Sequence, residues 1–204
     1  MRIEFTTVLL ATIGTGNLCA AEKTRVDVYI NTHDDSSILL GPGKPMASAI
    51  FEKIGVRVNW RDGELRTARA DAAQPAFGIR TVEHAPESAT PGALASAQLL
   101  GSSGPEITVY NDRVRRFLAD HPSLAAVAAG YVLAHELAHV MQGIARHSDS
   151  GILKARWSRE DYKEMTIHKL AFTSSDAVLI HQGLTLRLTE VESVSPAASN
   201  PVER

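Results

Sequence analysis

Val26, Val28 and Ile30 alternate with polar neighbours, which predicts a half-buried strand over residues 25–30. A turn-rich connection over 31–43 (NTHDDSSILLGPG) follows it. The period then changes: Met46, Ala47, Ile50, Phe51 and Ile54 recur at steps of three and four, an amphipathic helix opening near Pro45 and stopping at Gly55. Val56, Val58 and Trp60 make a second alternating strand that Asp62-Gly63 turns, and Phe77, Ile79 and Val82 mark a third. Residues 86–105 are rich in Ser, Ala, Gly and Pro and read as a long loop of the functional or disordered kind. The run EITVY, with Ile107 and Val109, gives a short fourth strand, and a short helix is expected over 114–118.

The strongest helix covers 122–142, with Asp120 or His121 as cap candidates, and is apolar nearly all round, the mark of a buried central helix. After Gly143 the chain is irregular to about Trp157. The charged segment SREDYKEM and a helical stretch over 174–182 follow. Residues 189–204 (TEVESVSPAASNPVER) are expected to form a disordered tail. Strand, helix, three strands, long helix and an irregular C-terminal part make an α+β pattern.

Composition narrows the class. At 204 residues, with 44% hydrophobic and 22% charged positions, the chain fits one globular domain, here placed over 22–188. Lys+Arg 21 against Asp+Glu 23 leaves a net charge of −2, which argues against nucleic acid as the main partner. No apolar run reaches the roughly 18 residues of a membrane span, and a single cysteine excludes a disulfide scaffold. Arg2, the apolar stretch over 5–13 (FTTVLLATI) and small residues at Cys19, Ala20 and Ala21 predict a signal peptide over 1–21, hence a secreted or periplasmic protein.

The candidate chemistry lies in the buried helix, which carries His135-Glu136-Leu137-Ala138-His139, an H-E-x-x-H sequence. Residues four apart share a helix face, so both imidazoles can point at one ion, and neutral imidazole is a good zinc ligand. Glu136 lies one position along, where a general base can take a proton from water at the metal. A catalytic zinc needs a third protein ligand and an open fourth position. Downstream lie His147, Asp149, Glu160, Glu164 and His168. His147 is favoured, because Gly143 lets the backbone turn back four residues before it. Glu164 is the main competitor, and Asp149 is a candidate to orient a ligand histidine. Tyr131, Trp60 and Trp157 read as packing aromatics.

The stretch HELAHVMQGIARHSDSGILKARW resembles the zincin superfamily, most of all metzincin-type zinc peptidases. It also resembles a group of secreted bacterial proteins reading roughly H-E-[IL]-x-H…H-S-x-x-G-I-M-[RK]-A-x-W. That resemblance implies His147 as third ligand. It also implies a zincin-like fold, with a small twisted mixed sheet on a central active-site helix, and an edge strand where an extended peptide adds, for which 107–110 is the candidate. Metzincins read H-E-x-x-H-x-x-G-x-x-H, whereas His147 stands eight residues after His139 here. Leu153 occupies the position of the Met those proteins place under the zinc, with Met165 as a spatial substitute.

The functional expectation is an exported zinc metallopeptidase acting on a peptide or protein substrate. His135, His139 and His147 hold Zn2+, and Glu136 activates water. The alternatives are a non-catalytic protein of the same fold with a structural or lost zinc, and a hydrolase of a non-peptide amide.

Overall fold

A computed structural model describes residues 23–31, 40–65, 74–99, 104–120 and 124–194. The expected leader at 1–21, residues 32–39 of the first connection and residues 195–204 of the expected tail lie outside the described residues.

The described residues form five strands: β1 (Thr24–Asn31), β2 (Val56–Asp62), β3 (Ala76–Val82), β4 (Ala95–Gln98) and β5 (Glu106–Tyr110). Five helices follow the 3,4-spaced stripes: α1 (Lys44–Glu52), α2 (Asn111–Asp120), α3 (Ala125–Gln142), α4 (Arg159–Thr166) and α5 (Ser174–Val194). The sheet order is β2-β1-β3-β5-β4. Its first four strands run parallel, and β4 pairs antiparallel with β5. Parallel β1 and β2 require a crossover, and α1 supplies it.

Because strand side chains alternate, Val26, Val28 and Ile30 of β1 share one face with Phe77 and Ile79 of β3 and Ile107 and Val109 of β5. All are buried in one cluster with Leu133, Leu137 and Met141 of α3. The opposite face is polar and holds itself together by pairing. Asn59 donates to Asp27 at 3.1 Å, and Arg80 to Glu106 at 2.9 Å. Over that outer face the chain after β3 folds back and walls a cleft of about 520 Å³ with Arg80, His84, Ser96, Thr108 and Tyr110. The helix α3 is therefore embedded between the sheet and the other helices, contacting α1, α5, β4 and β5. That is the burial its apolar circumference predicts. Among the described residues no helix is long and apolar enough to cross a membrane.

Four expectations need correction. The fourth strand, β5, is not an edge, because β3 and β4 flank it. The edge next to β5 is β4, a four-residue strand inside the segment expected to be a loop over 86–105. Its Ala-Ser-Ala-Gln sequence carries little strand propensity, and pairing with β5 decides its conformation. Residues 189–194 of the expected tail belong to α5, which continues through Val194. The short helix expected over 114–118 runs over Asn111–Asp120.

Candidate metal centre

Two imidazoles come from the C-terminal half of α3. His135 and His139 are four residues apart on one face, and their Nε2 atoms face one another at 3.1 Å. They are 9% and 6% exposed, so each ring needs a polar partner where water hardly reaches. The helix ends at Gly143, whose φ of 73° suits glycine and whose N–H donates to the His139 carbonyl at 3.0 Å. That left-handed cap turns the chain back along the helix. His147, on the exposed return, brings its ring centroid 5.4 Å from that of His135 and 4.9 Å from that of His139. One nitrogen of each of the three rings lies within 4.8 Å of the others.

The return segment 143–157 has no regular structure, and specific bonds hold it. Gly151 sits at φ 75°, and immediately after it the Ile152 N–H donates to the Ala171 carbonyl at 3.0 Å. The Ile152 carbonyl faces the centre. It accepts from His135 Nδ1 at 2.8 Å and from Trp157 Nε1 at 3.1 Å. A carbonyl only accepts, so His135 carries its proton on Nδ1 and a bare lone pair on Nε2. Trp157 also stands edge-on to His135, with centroids 5.6 Å apart.

Electrostatics keep the two rings on α3 neutral. Burial lowers the His135 pKa to about 4; the Ile152 carbonyl opposes it less strongly, and the neighbouring His147 adds a smaller lowering. Burial and then the imidazoles of His135 and His147 lower His139 to about 4, with the Ile144 carbonyl and Asp176 opposing. The His139 Nδ1 itself is buried without a hydrogen bond of good geometry, so the Ile144 carbonyl offers only a weak contact. Glu136, half-buried on the same helix, is pushed up to about 7 by burial.

This donor set fits a zinc-type cation. Zinc with nitrogen ligands at about 2.0–2.1 Å places neighbouring tetrahedral donors about 3.3 Å apart, close to the 3.1 Å between the two facing Nε2 atoms. Three converging imidazoles, one with its tautomer set by a backbone carbonyl, suit such an ion.

The other candidates lie elsewhere. Glu164, on α4, is not among the grouped ligand atoms, and its charge acts on the Tyr131 hydroxyl. Asp149 and His168 are exposed. Leu153 and Met165 are both fully buried core residues. Tyr131 packs as expected and donates to the Leu170 carbonyl at 3.2 Å. Trp60 donates to Ser48 at 2.9 Å, away from the centre.

Sequence reasoning missed two supports of the centre. One is Trp157, read only as a packing aromatic. The other is Asp176, fully buried at the start of α5, which reaches the loop around His147. Thr173-Ser-Ser-Asp176 is a helix-capping pattern visible in the sequence. Nothing local, however, says that its carboxylate also bonds a loop 30 positions earlier.

No known family profile matches the chain, and no curated protein matches it. One solved structure is similar, that of archaemetzincin from Methanopyrus kandleri. It shares 16% identity at a TM-score of 0.47 and covers 82% of this chain and 99% of its own.

Proposed function

We propose that the chain is an exported zinc-dependent metallopeptidase in which His135, His139 and His147 bind the metal and Glu136 is the general base. The observation that carries this reading is the convergence of three imidazole nitrogens within 4.8 Å, two of them one helical turn apart with Glu136 between. Bound there, zinc supplies a Lewis acid that polarises a carbonyl and acidifies water. The chain's own groups do the rest. The Ile152 carbonyl holds the His135 ring with its Nε2 lone pair available. Three protein ligands leave a fourth position for water or substrate, where a purely structural site would normally be closed. Glu136 takes the proton of the attacking water and hands it to the departing amine nitrogen. An extended substrate backbone pairs with β4, the strand at the open edge of the sheet beside α3. The leader-like sequence at 1–21 supports export to the periplasm or beyond.

The test begins with metal content by plasma mass spectrometry on the purified protein and its His147→Ala variant. One zinc per chain is expected, lost or greatly weakened in the variant. With that in hand, Glu136→Gln should keep the zinc while lowering hydrolysis of a peptide library by about 10²–10⁴-fold. Absence of zinc from folded wild-type protein after reconstitution would sink the metal reading. Zinc without hydrolysis in either protein would leave a non-catalytic binding protein as the better account.

A further inference from the structure

Asp176 is a carboxylate with no exposure at all, a costly placement unless each oxygen is paired. Its two oxygens do different work. Oδ2 accepts from the Thr173 N–H at 3.1 Å while the Thr173 hydroxyl accepts from the Asp176 N–H at 3.1 Å, a reciprocal capping box at the start of α5. Oδ1 is not needed for that cap. It accepts from Ser148 Oγ at 2.5 Å and from Arg146 Nη1 at 3.1 Å. Arg146 and Ser148 are the residues on either side of His147.

A second capping box among the described residues also reaches into the irregular segment. On α4, Ser158 and Asp161 make the same reciprocal pair, and Asp161 Oδ2 takes both the Ser158 N–H and its hydroxyl, with Lys154 as the extra partner. Both helix starts thus hold the irregular segment 143–157, at Lys154 from α4 and around His147 from α5. His147 itself is exposed on an irregular segment, so its position follows from how its neighbours are anchored. The Ser148 N–H to Leu153 carbonyl bond at 2.8 Å braces the loop internally, and Asp176 ties it to a helix.

We infer that Asp176 is the positioning residue of the third metal ligand: it grips Arg146 and Ser148 so that the His147 imidazole is held at His135 and His139 before the metal arrives. This rests on the reading that the three histidines bind a metal. Preorganisation of this kind acts on metal affinity, because a loose third ligand must be ordered at the moment of binding.

Zinc affinity by competition with a chromophoric chelator, and the visible spectrum of the cobalt-substituted protein, provide the test. The proteins are wild type, His147→Ala, Asp176→Asn, the double variant Arg146→Ala with Ser148→Ala, and Gly55→Ala. Gly55 precedes the far edge strand β2, so its variant lowers stability without touching the loop. The double variant leaves the capping box intact, so it answers the question even if Asp176→Asn fails to fold. The expected result is a 10–100-fold loss of zinc affinity in Asp176→Asn and in the double variant, with a cobalt spectrum moved toward that of His147→Ala. Gly55→Ala should bind zinc like wild type. If wild type and His147→Ala behave as expected but the double variant keeps wild-type affinity and spectrum, Asp176 is a helix cap only and this inference falls alone. A wild type that binds no zinc removes the metal reading and this inference with it.

Discussion

Gly151→Ala isolates the turn that presents the Ile152 carbonyl to His135. Its φ of 75° is a left-handed conformation that costs an L-residue about 1–2 kcal/mol. A second cost is specific to this place. A Cβ built on Gly151 lies 2.4 Å from the Ala171 carbonyl oxygen, well inside the roughly 3.3 Å at which carbon and oxygen ordinarily touch. That oxygen belongs to backbone and accepts from the Ile152 N–H, so relieving the overlap stretches or breaks a bond worth about 0.5–1.5 kcal/mol. Together the substitution should cost about 1.5–3.5 kcal/mol, reduced by a few tenths because alanine also restricts the unfolded chain. Gly55 provides the control, since its φ is nearly the same at 77° and a Cβ there meets nothing within 4 Å. Gly55→Ala should therefore cost only about 1 kcal/mol. Equilibrium urea unfolding of the metal-free proteins measures both. Equal costs for the two variants would mean the Gly151–Ala171 approach is absent. A larger cost for Gly151→Ala with unchanged zinc affinity would mean that the Ile152 carbonyl does not orient His135.

Two further predictions concern the surroundings of the centre. Leu153→Ala should destabilise by about 2–5 kcal/mol, because the side chain is fully buried, whereas Leu153→Met should cost less than about 1.5 kcal/mol; chemical denaturation distinguishes them, and similar losses would place Leu153 in a site that tolerates no change of shape rather than in ordinary core. Asp161 has a lowered pKa: burial works to raise it, and the bonds from Lys154, from the Ser158 hydroxyl and from the Ser158 N–H outweigh that effect. A depressed carboxylate contributes its full stabilisation above the unfolded value of about 3.9 and loses it as pH falls through the lower folded value. The stability gap between wild type and Asp161→Asn should thus be flat from about pH 7 to pH 5 and close only below about pH 4. A gap that narrows above about pH 5 would contradict the lowered pKa.

Strand and helix identities were largely legible because they rest on local period. Val26, Val28 and Ile30 alternate, and Met46 through Ile54 recur at helical spacing, so β1 and α1 follow from neighbours a few residues apart. β4 was hidden because Ala, Ser and Gln carry no strand signal and a partner strand 11 residues later decides its conformation. Residues 189–194 were assigned to a tail for the opposite reason, since a polar, tail-like composition does not by itself end a helix.

The sequence by itself determined that His135 and His139 share one face of a buried helix with Glu136 beside them, because helical spacing is a property of contiguous residues. It also marked Gly143 as the stop and turn. Tertiary structure decided that His147, and not Glu164, stands in the same group of ligand atoms. It decided as well that the Ile152 carbonyl sets the tautomer of His135 and that Asp176 holds both flanks of His147. Those contacts join positions 17 to 30 residues apart. They depend on how an irregular loop is folded back between two helix starts, for which no periodic pattern exists in the chain.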